Sequence, residues 1–230
     1  TLGSVSRFTA EQLKQSWQDR FGRDQAHFIV AGDVDQATLL AALEARFGDW
    51  GEAASPPSKI TVAKRAASGP RLVFVDKPGT SQTSLRVGMP APTYGSPLDE
   101  YADLGSVVLG GTFTSRLNHL LREEKGYTYG ARARVSATPE YGMLLATTNV
   151  QQEVSAPALV DLLAEIKRYR DGITEAELNK ARSAEQTQVI EAMASRGGIV
   201  GVLSGHALNN RPADTLATSL KKSQAATVAN

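Results

Sequence analysis

The chain has 230 residues, of which 41% are hydrophobic and 21% charged, and its formal net charge is +1. These values are ordinary for a globular protein, and so small a net charge does not indicate a nucleic-acid or anionic-membrane partner. The absence of cysteine excludes disulfides, thiolate catalysis and cysteine metal sites.

No membrane span or targeting segment is visible in the sequence. The longest apolar runs, such as FIVAG and GMLLATT, are far shorter than the ~20 residues that a transmembrane helix requires. The first residues, TLGSVSRFTAEQ, lack a basic stretch followed by an apolar one. Because the chain starts without Met, we expect it to be an excised part of a longer polypeptide.

Residues 1–50 carry the pattern of a helix, a strand and a second helix. Thr9 and Gln12 have the spacing of a capping box, and apolar residues recur every four positions from Leu13. The run AHFIVAG is short, apolar and closed by glycine, which predicts a strand. Asp33 or Asp35 can then cap the second helix.

Residues 51–70 are rich in Ala, Ser, Pro and Lys and include the adjacent Pro56 and Pro57. This composition is typical of a linker, so a domain boundary is predicted there. A second domain, residues 71–230, would begin with two strands, RLVFVDK and TSLRVGM, which we expect to lie side by side.

The remaining elements follow as two helices, two strands and two more helices. The first helix runs from Pro97 towards Gly110 and Gly111, and the second starts near Thr114 with an apolar stripe of Leu117, Leu120 and Leu121. The strands are YTYGARARVSAT and YGMLLATTNV. Helices are predicted over 155–170 and from a capping box at 174–177 towards 208, the second with a break or kink at its glycines, Gly197, Gly198, Gly201 and Gly205. This order predicts an α+β fold with helices packed on a mainly antiparallel sheet.

Several kinds of site are not indicated. The histidines, His27, His119 and His206, lack the three-to-five-residue spacing of a helical zinc pair. LGGTFTSRL lacks the ending of a phosphate-binding loop, and no serine stands in a Gly-x-Ser-x-Gly motif.

The stretch LREEKGYTYG, residues 121–130, permits two interpretations. A helix end carrying Arg122, a reversal at Gly126 and a following strand could bring Tyr129 alongside the guanidinium, with Tyr127 supporting it by packing. Two such donors can hold a carbonyl oxygen or an oxyanion. Alternatively, Arg122 only complements the helix C-terminus and the tyrosines belong to the core.

Arg132 and Arg134 share one face of the predicted strand, opposite the tyrosines. They could form an anion or partner site, or only a solvated sheet face.

The segment LGGTFTSRLNHLLREEKGYTYG resembles the second-domain signature of the pitrilysin/insulinase-type zinc metallopeptidases, in the two-domain bacterial form that is similar to mitochondrial processing peptidase. HFIVAGDVD and LEARFGDW resemble the segment that closes the first domain of that family. The resemblance implies that residues 1–50 end a first peptidase domain, 51–70 form the linker, and 71–230 form a truncated, zinc-free second domain that is half of a chamber.

The resemblance also implies an activity. A peptide substrate would lie in a chamber between two homologous halves, and zinc would be bound by a His-x-x-Glu-His motif in an N-terminal domain or subunit that this chain lacks. Arg122 and Tyr129 would contact the substrate carbonyl and the transition state. The chain itself would hold no metal or cofactor and would be inactive alone.

The sequence leaves the alternative function, the assembly and the compartment open. The alternative function is a non-catalytic peptidase-like subunit that acts in assembly or as the partner of a zinc-bearing subunit. A homodimer or a heterodimer is possible, and the compartment is either the bacterial periplasm or the cytoplasm. Neither a nucleic-acid partner nor a membrane span is expected.

Overall fold

The computed structural model describes residues 2–52 and 69–229. Its helices are α1 (Leu2–Val5), α2 (Ala10–Arg20), α3 (Gln36–Phe47), α4 (Asp99–Ser106), α5 (Arg116–Asn118), α6 (Ser155–Arg170), α7 (Glu175–Met193), α8 (Arg196–Leu208) and α9 (Thr215–Ala225). Its strands are β1 (Gln82–Pro90), β2 (Ala131–Ala137) and β3 (Gly142–Gln151). Helices α4 and α5 continue directly into π-helical turns at Val107–Gly111 and His119–Glu124, and 3-10 turns lie at Arg23–Gln25 and Gln152–Val154. Most of the predicted linker, residues 53–68, lies outside the described residues.

The strands form one antiparallel sheet with the order β1-β3-β2. Strands β2 and β3 are joined by the predicted turn, in which the Thr138 N–H donates to the Tyr141 carbonyl at 2.7 Å. Helices pack on one face of the sheet, which confirms the predicted α+β class. Strand β2 begins at Ala131, four residues later than the predicted strand, because the residues before it belong to the loop described below.

The main core lies between this sheet and the helices. Leu117 and Leu121 are fully buried and Leu120 nearly so, which confirms the predicted apolar stripe. They pack with Ala146 of β3 and Leu162 of α6 in one cluster. Burial of a leucine side chain contributes roughly 2 kcal/mol relative to its exposure. This cluster therefore anchors the segment that carries Arg122.

Gly110 allows the π-helical turn after α4 to lie against the backbone of β2. A Cβ atom built at this position would be 2.2 Å from the Ala133 nitrogen. No side chain fits that space, so the glycine pair that ends the predicted helix also sets the distance between helix and sheet.

Two of the predicted strands do not form in the described residues, so these predictions are wrong. Residues 26–32 and 71–77 pair with no strand there, and β1 pairs with β3 instead of with 71–77. Their apolar side chains remain exposed, and Phe74 is 82% exposed. An apolar run favours a strand, but a strand forms only where a neighbour supplies backbone hydrogen bonds.

The N-terminal helices confirm their predicted caps. Thr9 and Gln12 form the capping box of α2, and Asp35 caps α3 through the Thr38 N–H. Aromatic rings join these elements: Trp17 stacks on Trp50 with ring centroids 5.6 Å apart and an interplanar angle of 5°.

The long helix predicted to reach 208 is divided close to its predicted glycine break, because Ser195 adopts an extended conformation and caps α8 by accepting a hydrogen bond from the Gly198 N–H. Helix α9 was not predicted. Its Lys222 contacts Glu100 of α4 at 2.5 Å. Within residues 2–52 and 69–229, no helix has the length and apolar character of a membrane span.

Candidate functional site

Arg122 lies in the last turn of the α5 segment, with its side chain 31% exposed. The guanidinium carbon stands 4.0 Å from the centroid of the Phe113 ring, in a cation-π arrangement. The same guanidinium also forms an ion pair with Glu123. Arg122 is therefore held at the surface by a ring and a carboxylate.

The chain reverses at Gly126, which has φ = 65° and is the left-handed residue predicted at the helix end. The Gly126 N–H donates to the Arg122 carbonyl at 3.1 Å, and the Tyr127 N–H donates to the Leu121 carbonyl at 2.9 Å. Tyr127 then packs against the main core, a position that both sequence interpretations allow. The reversal brings the chain back beside the turn that carries Arg122.

Tyr129 projects from a short loop between this reversal and β2 and is 93% exposed. Thr128 fixes the loop, since its hydroxyl donates to the Asn149 carbonyl at 2.7 Å and accepts from the Gly130 N–H at 3.1 Å. The Thr148 hydroxyl donates to the Gly130 carbonyl at 3.1 Å. The loop backbone is thus held from both sides while the phenol of Tyr129 extends into solvent.

Asn118 is a buried residue that the sequence reasoning missed. Its side-chain oxygen accepts from the Ala131 N–H at 2.9 Å, and its amide nitrogen donates to the Ala131 carbonyl at 2.7 Å. The same nitrogen donates to the Thr112 carbonyl at 3.0 Å. One amide therefore ties together the turn before Phe113, the helix of Arg122 and the start of β2. Its position, four residues before Arg122 on a helix and hence on the same side, was the available signal.

Arg116 fixes the other end of the α5 segment. Its Nε and Nη2 donate to the two carboxylate oxygens of Glu177 at 2.5 and 2.8 Å, and Nη2 donates to the Gly172 carbonyl at 3.0 Å. Glu177 also accepts from the Thr174 N–H in the predicted capping box of α7. The hydrogen bonds from Arg116 lower the pKa of Glu177 to about 2, against the cost of burial.

The structure thus places Arg122 and Tyr129 on either side of one reversal, both open to solvent. No hydrogen bond joins the two side chains. A cavity of about 340 Å³ lies elsewhere, between α4, the α6–α7 connection and the residues after α9, and is not lined by either of them. The pair forms an open surface and not an enclosed pocket.

The described residues do not fit a zinc ion. Over 2–52 and 69–229, no group of three or more His, Asp or Glu side chains is close enough to hold a metal. His119 is exposed, and its Nε2 stands 3.1 Å from Glu124. His27 is exposed outside any strand, so its predicted position in one is wrong.

The described residues form an antiparallel sheet covered by helices. Arg122 and Tyr129 lie on either side of the glycine reversal, and the described residues provide no metal site. The model of the family described as the peptidase M16 inactive domain matches residues 7–185. The chain belongs to this family, which confirms the resemblance to the insulinase-type zinc metallopeptidases.

Relatives in sequence carry zinc protease names. The chain is 28% identical over 193 residues to an uncharacterized zinc protease of Mycobacterium bovis, covering 79% of this chain and 42% of that protein. It is 26% identical over 185 residues to the zinc protease YmxG of Bacillus subtilis, with 79% and 43% covered. The chain therefore spans less than half the length of these relatives.

Solved structures share the fold. A peptidase M16 inactive domain from Pseudomonas fluorescens superimposes with a TM-score of 0.74 at 25% identity, covering 99% of this chain and 54% of that one. A protease from Helicobacter pylori superimposes with a TM-score of 0.83 at 17% identity, covering 100% of this chain and 56% of that one. The second likeness concerns the fold alone.

Proposed function

We propose that this chain is the C-terminal, substrate-binding part of a zinc-dependent endopeptidase, in which Arg122 and Tyr129 contact the peptide at the bond to be cleaved. The observation that carries the proposal is that Tyr129 is exposed and Arg122 partly exposed at a reversal whose backbone is fixed by a buried network. A side chain that only filled the core would be buried, and Tyr129 is almost fully exposed.

The chemistry of the two groups fits a peptide carbonyl. Attack on an amide places negative charge on the carbonyl oxygen, and a guanidinium and a phenol can both donate hydrogen bonds to it. Donors held in place before the reaction need little reorganisation, so the fixed loop of Tyr129 favours the transition state.

The open surface requires a second half. Zinc ligands would lie outside this chain, because the described residues supply no group that fits the ion. We propose that the missing ligands belong to a homologous N-terminal domain or to a partner subunit, in a homodimer or a heterodimer, and that the peptide is enclosed between the two halves. Bound there, zinc would supply an activated water.

We also propose a domain organisation for this function. Residues 1–50 would end the first peptidase domain, 51–70 would form the linker, and 71–230 would form the second, zinc-free domain. In the described part of the chain, the apolar segments at 26–32 and 71–77 pair with no strand, which supports a fold that is completed by strands from a longer polypeptide.

The test is hydrolysis of an unstructured peptide by the complete parent protein with its zinc-bearing half. Tyr129→Phe removes one donor and should lower kcat by about 10²-fold with little change in KM, and Arg122→Ala should lower kcat/KM by at least as much. Tyr141→Phe and Arg170→Ala are matched controls at exposed positions on other elements. Unchanged kcat/KM in both Arg122 and Tyr129 variants would remove the assigned roles.

A non-catalytic subunit is the second candidate function, since the matching family is itself described as an inactive domain. The parent gene and any partner gene discriminate between the two. Absence of a His-x-x-Glu-His motif from both would favour assembly over catalysis.

A further inference from the structure

The charged residues on the outward face of the sheet are all basic. Strands β1, β2 and β3 contain no Asp or Glu, and their arginines, Arg86, Arg132 and Arg134, are all exposed. Inward positions such as Ala131 and Ala133 are buried, so these arginines stand on the side away from the helices. We call the surface formed by these three residues the arginine face.

Strand register brings the three arginines close together. Arg86 of β1 and Arg132 of β2 lie opposite the same residue of the central strand, Thr147. Two strand spacings separate them, about 10 Å. Arg134 follows Arg132 on the same face, about 7 Å further along β2. Arg86 and Arg132 therefore flank Thr147. Arg134 lies opposite Leu145, the next outward residue of the central strand.

The arginine face has no acidic partner in the described part of the chain. Arg23, Arg116, Arg122, Arg168, Arg170 and Arg211 each form an ion pair with a carboxylate. Among residues 2–52 and 69–229, no side-chain hydrogen bond or ion pair involves an arginine of this face. Like charges on adjacent positions of a sheet repel each other, so the cluster does not stabilise the isolated sheet.

We propose that the arginine face binds acidic segments of the peptide substrate. This proposal rests on the proposed peptidase function. Arg132 is three residues from Tyr129 and hence within about 10 Å of it along the chain. A carboxylate held there would belong to a substrate residue close to the cleaved bond. The face would then select peptides with Asp or Glu near that bond.

A peptide fits this face better than a nucleic acid does. Single-stranded nucleic acids are bound by basic grooves with aromatic rings on which the bases stack. The outward positions of the three strands carry no aromatic residue, and beside the arginines they hold polar side chains such as Ser84, Thr147 and Asn149 together with the aliphatic Met143 and Leu145. Carboxylates need only the guanidinium forks.

The experiment measures binding without hydrolysis. The complete parent protein is treated with EDTA, and fluorescence anisotropy reports its affinity for an acidic unstructured peptide and for the same peptide with Asn and Gln in place of Asp and Glu. The acidic peptide should bind more tightly, by an amount that decreases as salt increases. The triple variant Arg86→Gln, Arg132→Gln, Arg134→Gln should weaken acidic-peptide binding by about tenfold and leave the neutral peptide unchanged.

Arg196→Gln is the matched control, because it removes one exposed charge from α8. It should leave both affinities unchanged. Unchanged thermal unfolding verifies that the triple variant folds. If it does not fold, the three single variants provide a second measurement, and each should bind the acidic peptide about two- to threefold more weakly.

Equal binding of the two peptides, or unchanged affinity in the variants, would overturn the proposal. Displacement of the acidic peptide by a single-stranded oligonucleotide of equal charge, lost in the same variants, would assign the face to nucleic acid instead. Binding and hydrolysis can fail independently, so a parent without peptidase activity would still show whether this face selects acidic peptides.

Discussion

The side-chain amide of Asn118 pairs with both backbone groups of Ala131, as a neighbouring β-strand would. The outer edge of β2 thereby gains hydrogen bonds from a helix at the residue where the strand begins. This pairing aligns the Tyr129 loop with the helix of Arg122.

Asn118→Ala should reduce the free energy of unfolding, because it leaves buried N–H and C=O groups of Ala131 without partners. An unsatisfied buried backbone group costs about 1–3 kcal/mol, so the expected loss is about 2–3 kcal/mol in urea denaturation. Asn149→Ala on the exposed side of β3 is the control and should change stability by less than about 0.5 kcal/mol.

Asn118→Asp separates positioning from stability. The carboxylate can still accept from the Ala131 N–H but cannot donate to the carbonyls of Ala131 and Thr112. In the parent protein, kcat should fall together with stability while KM changes little. Full activity in a folded Asn118→Asp variant would show that the amide does not position the Tyr129 loop.

The pair of Arg116 and Glu177 predicts how stability depends on pH. The pKa of Glu177 is about 2 in the folded protein and near its ordinary value of 4.5 in the unfolded chain. The unfolded state therefore binds more protons between these values, so this contribution is present above about pH 4.5 and is lost as the pH falls towards 2.

Glu177→Gln should remove that part of the acid dependence and lower stability at neutral pH by about 2 kcal/mol, since Arg116 loses its charged partner. Unfolding free energies at several pH values measure both effects. Glu175→Gln, in the same helical turn but exposed, is the control. An acid transition identical in the protein and the Glu177→Gln variant would contradict the assignment.

Gly126 predicts a substitution whose cost is conformational. Its φ of 65° is unfavourable for residues with a Cβ, although a Cβ there would contact nothing within 4 Å. Gly126→Ala should therefore destabilise the protein by about 1 kcal/mol, and Gly126→Asn by less.

Gly201→Ala provides the opposite case for comparison. Its Cβ would also contact nothing within 4 Å, but the residue lies inside α8, where alanine is favoured by about 1 kcal/mol. Thermal unfolding should shift downward for Gly126→Ala and upward for Gly201→Ala. A similar shift of both variants would mean that backbone conformation does not explain the Gly126 effect.

Local signals in the sequence predicted the helices well. The capping boxes at Thr9 and Thr174, the cap at Asp35 and the left-handed Gly126 depend on residues within four positions of one another, and each is confirmed. Helix α9 was missed because its cap, Asp214, makes no side-chain capping hydrogen bond and its first turn has no acidic residue.

The strands were predicted less well, because pairing depends on distant residues. Residues 71–77 have as strong an apolar pattern as β1, yet among the residues that the structure describes β1 pairs with β3 and 71–77 pair with no strand. The sequence supplies the tendency to form a strand, and the neighbouring backbone decides whether one forms.

The sequence by itself determined the family, the helix-rich α+β class and the candidate residues Arg122 and Tyr129, since these depend on local spacing and on one continuous motif. Only the tertiary structure decided that Tyr129 is exposed, that Asn118 holds Ala131, and that Arg86 joins Arg132 around Thr147. Those relationships join residues from 13 to more than 40 positions apart, and strand register and helix packing, which no local pattern encodes, bring them together.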